Sequence, residues 1–159
     1  MATITKNRYQ DSQNFGQTPY GNLTTLEYGV TTNASGAVVG SDSTAAVASG
    51  DVIRLGILPA GFRLHDSLTI VNDAFTASVT GTLGFAYVDG VDDTAVPQDA
   101  DYFGAAVAIN AAGRYAASNT GVVPLTLPKD AWLTLTTGGA NHTTAANAVV
   151  LVTGEHVGV

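Results

Sequence analysis

Residues 51–73 read DVIRLGILPAGFRLHDSLTIVND, two runs of alternating apolar residues joined by Leu58-Pro59-Ala60-Gly61. Ile53, Leu55 and Ile57 share one face of the first run, and Phe62, Leu64, Leu68 and Ile70 share one face of the second. This is the two-residue period of half-buried strands, and no helical period fits as well. Pro59 presets φ for a turn and Gly61 tolerates a positive φ, so the stretch predicts two sequential strands hinged at a tight corner. The opposite face offers Arg54, Arg63, His65, Ser67 and Thr69, a set with no chemistry of its own. Function is therefore to be sought in surfaces and assembly.

The same pattern extends outward from this block. Further strands are predicted over Leu23–Val30, Ser78–Val88, Tyr102–Ile109, Val122–Leu127, Ala131–Thr136 and Asn147–Thr153, separated by turn clusters such as Pro128-Lys129-Asp130 and Gly138-Gly139-Ala140-Asn141. In the clearest alternation Val79, Leu83, Phe85 and Tyr87 point inward with Gly81, against Thr80, Thr82, Gly84 and Ala86. The Ala-rich pieces Ser43–Ser49 and Gly104–Ala112 read as loop or edge strand, and no internal repeat is visible. About eight short strands without a convincing helix predict an all-β sandwich spanning residues 23–159. Residues 1–22 differ: they are polar, rich in Asn and Gln, and carry Tyr9, Phe15 and Tyr20 at no regular period. They read as an extended N-terminal arm whose spaced aromatics are candidate contacts to a neighbouring subunit.

Composition narrows the function classes. A chain of 159 residues fits one domain with a core that needs no staples. Six Lys plus Arg against thirteen Asp plus Glu give a formal charge of −7, a sign that repels phosphate backbones and argues against nucleic acid as a partner. Only 12% of residues are charged, so much of the surface is small, neutral and polar, which suits close contact with other proteins. Cysteine is absent, excluding disulfides, thiol nucleophiles and thiolate metal sites. The opening MATITKNRYQDSQNFGQ lacks the apolar segment of a secretory signal, an expectation of assembly in the cytoplasm. Ala131–Gly154, though free of charge until its end, is too rich in Thr, Gly and Asn to span a membrane. The Asn-x-Ser/Thr triplets at Asn22, Asn33 and Asn141 are expected by chance in a Thr-rich chain.

Candidate sites are few. The run Asp89-Gly90-Val91-Asp92-Asp93, followed by Asp99 and Asp101, offers carboxylates to a hard cation but lacks the closing Glu of a calcium loop. It reads as a solvated acidic loop. His65, His142 and His156 are not at metal-ligand spacing, no Gly-x-Ser-x-Gly elbow occurs, and neither a phosphate loop nor a dinucleotide fingerprint is present. No enzyme, metal or cofactor is expected. Trp132 lies on the face of its strand opposite Leu133 and Leu135 and is a candidate contact residue. With Tyr87, Tyr102 and Tyr115 it could instead form an aromatic platform for a sugar.

The blocks GDVIRLGILPAGFRLHDSLTIVND, GTLGFAYVDG, DADYFG, AWLTLTT and AVVLVTGEHVG together resemble tailed-bacteriophage head decoration, or cement, proteins of the jelly-roll type. The resemblance covers roughly Gly50–Val159, with the N-terminal part similar only as a variable arm. It implies a jelly-roll sandwich on the outside of an icosahedral capsid, bound at junctions between major capsid protein subunits and carrying no catalytic residues. Closed symmetry implies a homo-oligomer, a dimer in preference to a trimer. The competing expectation is a carbohydrate- or receptor-binding module of a tail fibre or baseplate.

Overall fold

The structure, a computed structural model, describes residues 1–5, 22–119, 121 and 123–158. Among these residues there is no helix, and ten strands occur: β1 (Thr3–Thr5), β2 (Leu23–Thr32), β3 (Val52–Leu58), β4 (Phe62–Asp73), β5 (Thr80–Tyr87), β6 (Asp99–Val107), β7 (Gly113–Ala116), β8 (Leu125–Thr126), β9 (Ala131–Gly138) and β10 (Ala146–His156). One sheet has the order β1-β3-β9-β5-β6. The other has β2-β10-β4-β7, with β8 also on β4. Strands β2 to β5 alternate between the sheets, and β8, β9 and β10 alternate back. The orders 2-10-4-7 and 3-9-5-6 are those of an eight-stranded jelly roll, to which β1 adds a parallel edge. The expected all-β jelly-roll sandwich is the fold the chain adopts.

The corner at Pro59–Gly61 sends the chain from one sheet to the other and is not a hairpin. Gly61 has φ 73°, and the Phe62 amide donates to the Pro59 carbonyl at 3.2 Å. The strands on either side both carry a β-bulge, which the alternating pattern does not reveal. In β3 the pairing with β9 shifts between Arg54 and Gly56, and in β4 the pairing with β10 shifts between Leu64 and Asp66. One extra residue reverses the inward and outward phase. Ile57 therefore leaves the core face expected for it and pairs with Trp132 outside, while Leu58 enters the core. Likewise Leu68 and Ile70 face outward, whereas Ser67 and Thr69, expected in solvent, are 4% and 3% exposed.

Between the sheets lies one core, in which Tyr28, Phe62, Phe85, Phe103, Leu55, Leu64 and Leu83 are fully buried. The inward set Val79, Leu83, Phe85 and Tyr87 is as expected. Tyr28 of β2 ties the sheets together, its hydroxyl donating to the Ile57 carbonyl at 2.8 Å. Burial pushes its pKa up. Two boundaries move: β6 begins at Asp99 rather than Tyr102, and the strand expected over Val122–Leu127 reduces to β8. β7, in a Gly- and Ala-rich stretch, was not expected.

The N-terminal boundary also moves. Residues 1–22 were assigned to an arm, but Thr3–Thr5 belong to the sandwich and pair with Val52–Arg54. Ile4 is 1% exposed and joins the core. The device that holds this strand is Asp51, whose Oδ1 accepts the Ala2 amide at 2.7 Å while Oδ2 accepts the Ala48 amide at 2.9 Å. Three residues are too few to show a period. Residues 6–21, with Tyr9, Phe15 and Tyr20, lie outside the described residues.

Candidate functional site

Trp132 lies on the outer side of its sheet, as its alternation with Leu133 and Leu135 requires, yet it is only 7% exposed. Its β3 partner Ile57 flanks it in register, and the Arg54 guanidinium sits over the indole, 5.2 Å from the ring centroid. An indole covered in this way is a packed side chain rather than an open contact surface.

The aromatic platform is not assembled. Tyr87 and Tyr102 are core residues, both edge-on to Phe85 at centroid distances of 5.9 and 5.6 Å. Their hydroxyls donate to the carbonyls of Val96 and Val123, and burial is the first cause raising the pKa of each to about 12. Tyr115 sits on β7 in the other sheet from Trp132, its hydroxyl donating to the Ala111 carbonyl at 2.9 Å. Tyr87 and Tyr102 share the sheet of Trp132 but face the core, and Tyr115 is on the other sheet, a difference that spacing along the chain does not encode.

In the acidic loop the carboxylates are spent on local backbone order. Asp92 Oδ1 accepts the amides of Gln98 and Asp93 at 2.7 and 2.9 Å, and Asp93 Oδ1 accepts those of Ala95 and Val96 at 2.9 and 3.0 Å. Hydrogen bonds from these two amides, Val96 first, hold the Asp93 carboxyl below the usual range. Lys129 donates to Asp89 Oδ2 at 2.8 Å and to the Val91 carbonyl, closing the loop. That hydrogen bond is the largest cause of the lowered Asp89 pKa. Among the described residues no three His, Cys, Asp or Glu side chains converge on a point where a metal ion could sit.

An open recess of about 370 Å³ lies beside this loop, lined by Val96, Pro97, Asp99, Tyr102, Val123 and Leu125 among others. Asp99 is the one carboxyl among its described lining residues, and burial followed by the neighbouring Asp101 raises its pKa.

His142 is fully shielded from solvent. The Thr76 amide donates to its Nδ1 at 3.1 Å, which fixes the proton on Nε2; Nε2 then donates to Thr32 Oγ1 at 2.8 Å, and that hydroxyl donates to the Thr144 carbonyl at 3.0 Å. Phe75 packs against the imidazole with centroids 4.6 Å apart. Desolvation lowers its pKa, opposed in part by the Thr144 backbone. The ring ties the end of β2 and the β4–β5 loop to its own β9–β10 loop at one end of the sandwich.

The outer face of the β2-β10-β4-β7 sheet was not singled out from sequence, because the bulge in β4 creates it. Leu68 pairs with Leu151 and Ile70 with Val149, giving four adjacent half-buried apolar side chains on the outside. Polar rows close both ends of the block. Asn72, Asn147 and Thr31 form a hydrogen-bonded chain with links of 3.2 and 2.9 Å, and Glu155 lies 3.7 Å from Arg63 and 3.6 Å from His65.

No protein-family model matches the chain, and no curated protein matches it. The likeness of fold comes from a solved structure. A chain in the structure of the capsid of Ralstonia phage GP4 superposes with a TM-score of 0.66 at 15% identity, over 97% of each chain. A chain in the acidic stable capsid structure of Helicobacter pylori bacteriophage KHP30 covers 83% of this chain and 92% of its own length at 13% identity, with a TM-score of 0.46.

Proposed function

We propose that this protein is a structural component of a phage virion, binding the outside of the capsid at junctions between major capsid protein subunits and reinforcing the shell. The observation that carries the reading is the likeness of fold to a chain of a phage capsid, over 97% of each chain. The composition supports it: few charges and a net charge of −7. Acidity suits the exterior of a shell better than an interior packed with DNA.

The physical role follows from linkage. A molecule that touches two shell subunits at once binds only their joined arrangement, so its binding free energy adds to the stability of the closed shell. Each contact is allowed to be modest, because many copies act in parallel. The partners of this reading are the major capsid protein and a second copy of the chain, with no catalytic step and no cofactor. The test is to mix the purified protein with shells stripped of it and sediment them. Co-sedimentation that saturates at a fixed ratio to the shell protein, with a rise in the temperature at which shells open, is the expected result. Protein that stays in the supernatant at every concentration would refute it.

A further inference from the structure

The outer face of the β2-β10-β4-β7 sheet carries an asymmetry that selects a partner. Its central apolar block is made of two rows set two residues apart along the strands. One runs Glu27, Leu151, Leu68, Ala116, and the other Gly29, Val149, Ile70, Arg114, each from β2 across β10 and β4 to β7. The acid stands at the β2 margin and the base at the β7 margin, both exposed. Polar groups toward the two ends of the face pair with one another, through the Asn72–Asn147–Thr31 chain and the Arg63–Glu155–His65 cluster.

We infer that two copies of this chain pair face to face through these sheets, about a two-fold axis parallel to the strands. Such an axis lays β2 of one copy over β7 of the other. It brings Glu27 toward the partner's Arg114, offset by one row of two residues, roughly 7 Å, which the two long side chains can bridge. The leucine, isoleucine and valine block then meets its own copy. A two-fold axis across the strands instead places β2 on β2, setting Glu27 near the partner's Glu27 with no base in reach, so charge disfavours it. Strands of 10, 11, 12 and 4 residues, roughly 4.8 Å apart, present a face on the order of 600 Å². A pair buries on the order of 1,200 Å², the lower end of the range for a specific dimer. An apolar centre within a polar, internally satisfied rim is the anatomy such interfaces have.

The pairing deepens the proposed function by naming the face through which a shell-bound oligomer forms. Its test is independent of shell binding. Sedimentation equilibrium of the full chain should give twice the chain mass, and Leu151→Lys, whose side chain already points outward, should weaken association at least about 100-fold while the unfolding midpoint of the monomer stays put. Glu27→Arg and Arg114→Glu should each weaken it about 10-fold, and the double exchange should recover most of that loss, a result that a merely unfolded variant cannot give. A monomeric wild type at several hundred micromolar, or a dimer indifferent to Leu151→Lys, would overturn the inference. So would a double exchange no better than the single ones. If the wild type is monomeric and Leu151→Lys abolishes co-sedimentation with shells, the face belongs to the shell and the pairing is wrong. A dimer that pairs as described but ignores shells leaves the pairing standing and removes the cement reading.

Discussion

Replacing Gly61 by Ala tests the corner that organises the sandwich, and its cost has two parts that can be separated. The residue sits at φ 73°, where a Cβ costs about 1 to 2 kcal/mol. The added Cβ also falls 2.7 Å from the Gly158 carbonyl carbon and 2.8 Å from its Cα. Relief requires the C-terminal segment to lift, which breaks the hydrogen bond from the Val157 amide to the Gly61 carbonyl at 2.8 Å, about 1 kcal/mol more. The sum is about 2 to 3 kcal/mol, and at roughly 2 to 4 °C per kcal/mol for a chain of this size Tm should fall by roughly 5 to 10 °C. Gly40 supplies the matched control, since it has the same φ of 73° but open space where a Cβ would stand. Gly40→Ala should therefore cost only the backbone part, about 1 to 2 kcal/mol. Urea unfolding of the two variants beside the wild type measures both. Equal losses would refute the docking of the C-terminus on the corner, and no loss in either would refute the backbone argument altogether.

Three other predictions address the remaining features. Asp51→Ala deprives the Ala2 and Ala48 amides of their carboxylate acceptor and should destabilise by about 2 to 4 kcal/mol, with limited proteolysis now cutting near Thr5; a resistant N-terminus would show that β1 does not depend on Asp51. Because burial lowers the His142 pKa, the unfolded chain takes up the proton first. Stability is full above the unfolded histidine pKa of about 6.5 and is lost as pH falls through the folded value, with a slope of at most ~1.4 kcal/mol per pH unit. Urea midpoints between pH 7.5 and 5 should fall for the wild type and stay flat for His142→Gln, and a flat wild type would contradict the buried neutral imidazole. Trp132→Ala removes a packed indole and should cost about 3 kcal/mol; an unchanged Tm would mean that the ring is a solvent-facing platform after all.

How much of this was legible in the sequence depends on the length scale. The two-residue period announces strands, and the Thr80–Tyr87 alternation needs no correction, because β5 keeps its phase opposite β9 throughout. The block at residues 51–73 fixes the class yet misplaces three apolar side chains and, with them, Ser67 and Thr69. Ile57, Leu68 and Ile70 follow the alternation on paper, but the bulges near Leu55 and His65 each insert one residue and exchange the faces. The first bulge does adjoin a glycine within its strand, Gly56, of the kind that marks a bulge, whereas the second has no glycine on β4. The outer apolar block was invisible for the same reason, since Leu68 and Ile70 were counted into the core. Trp132 was placed on the correct face and wrongly exposed, because its cover comes from Arg54 on another strand, a contact across the sheet that periodicity does not encode. β1 was missed because its evidence is one isoleucine and a carboxylate, Asp51, almost fifty residues downstream.

The measurement that bears most directly on the proposed shell-reinforcing role is the number of copies of this chain per purified phage particle, counted by quantitative mass spectrometry against the major capsid protein. The account predicts hundreds of copies in a simple ratio to the shell protein. A handful of copies per particle, as for a tail component, or none at all, would contradict it.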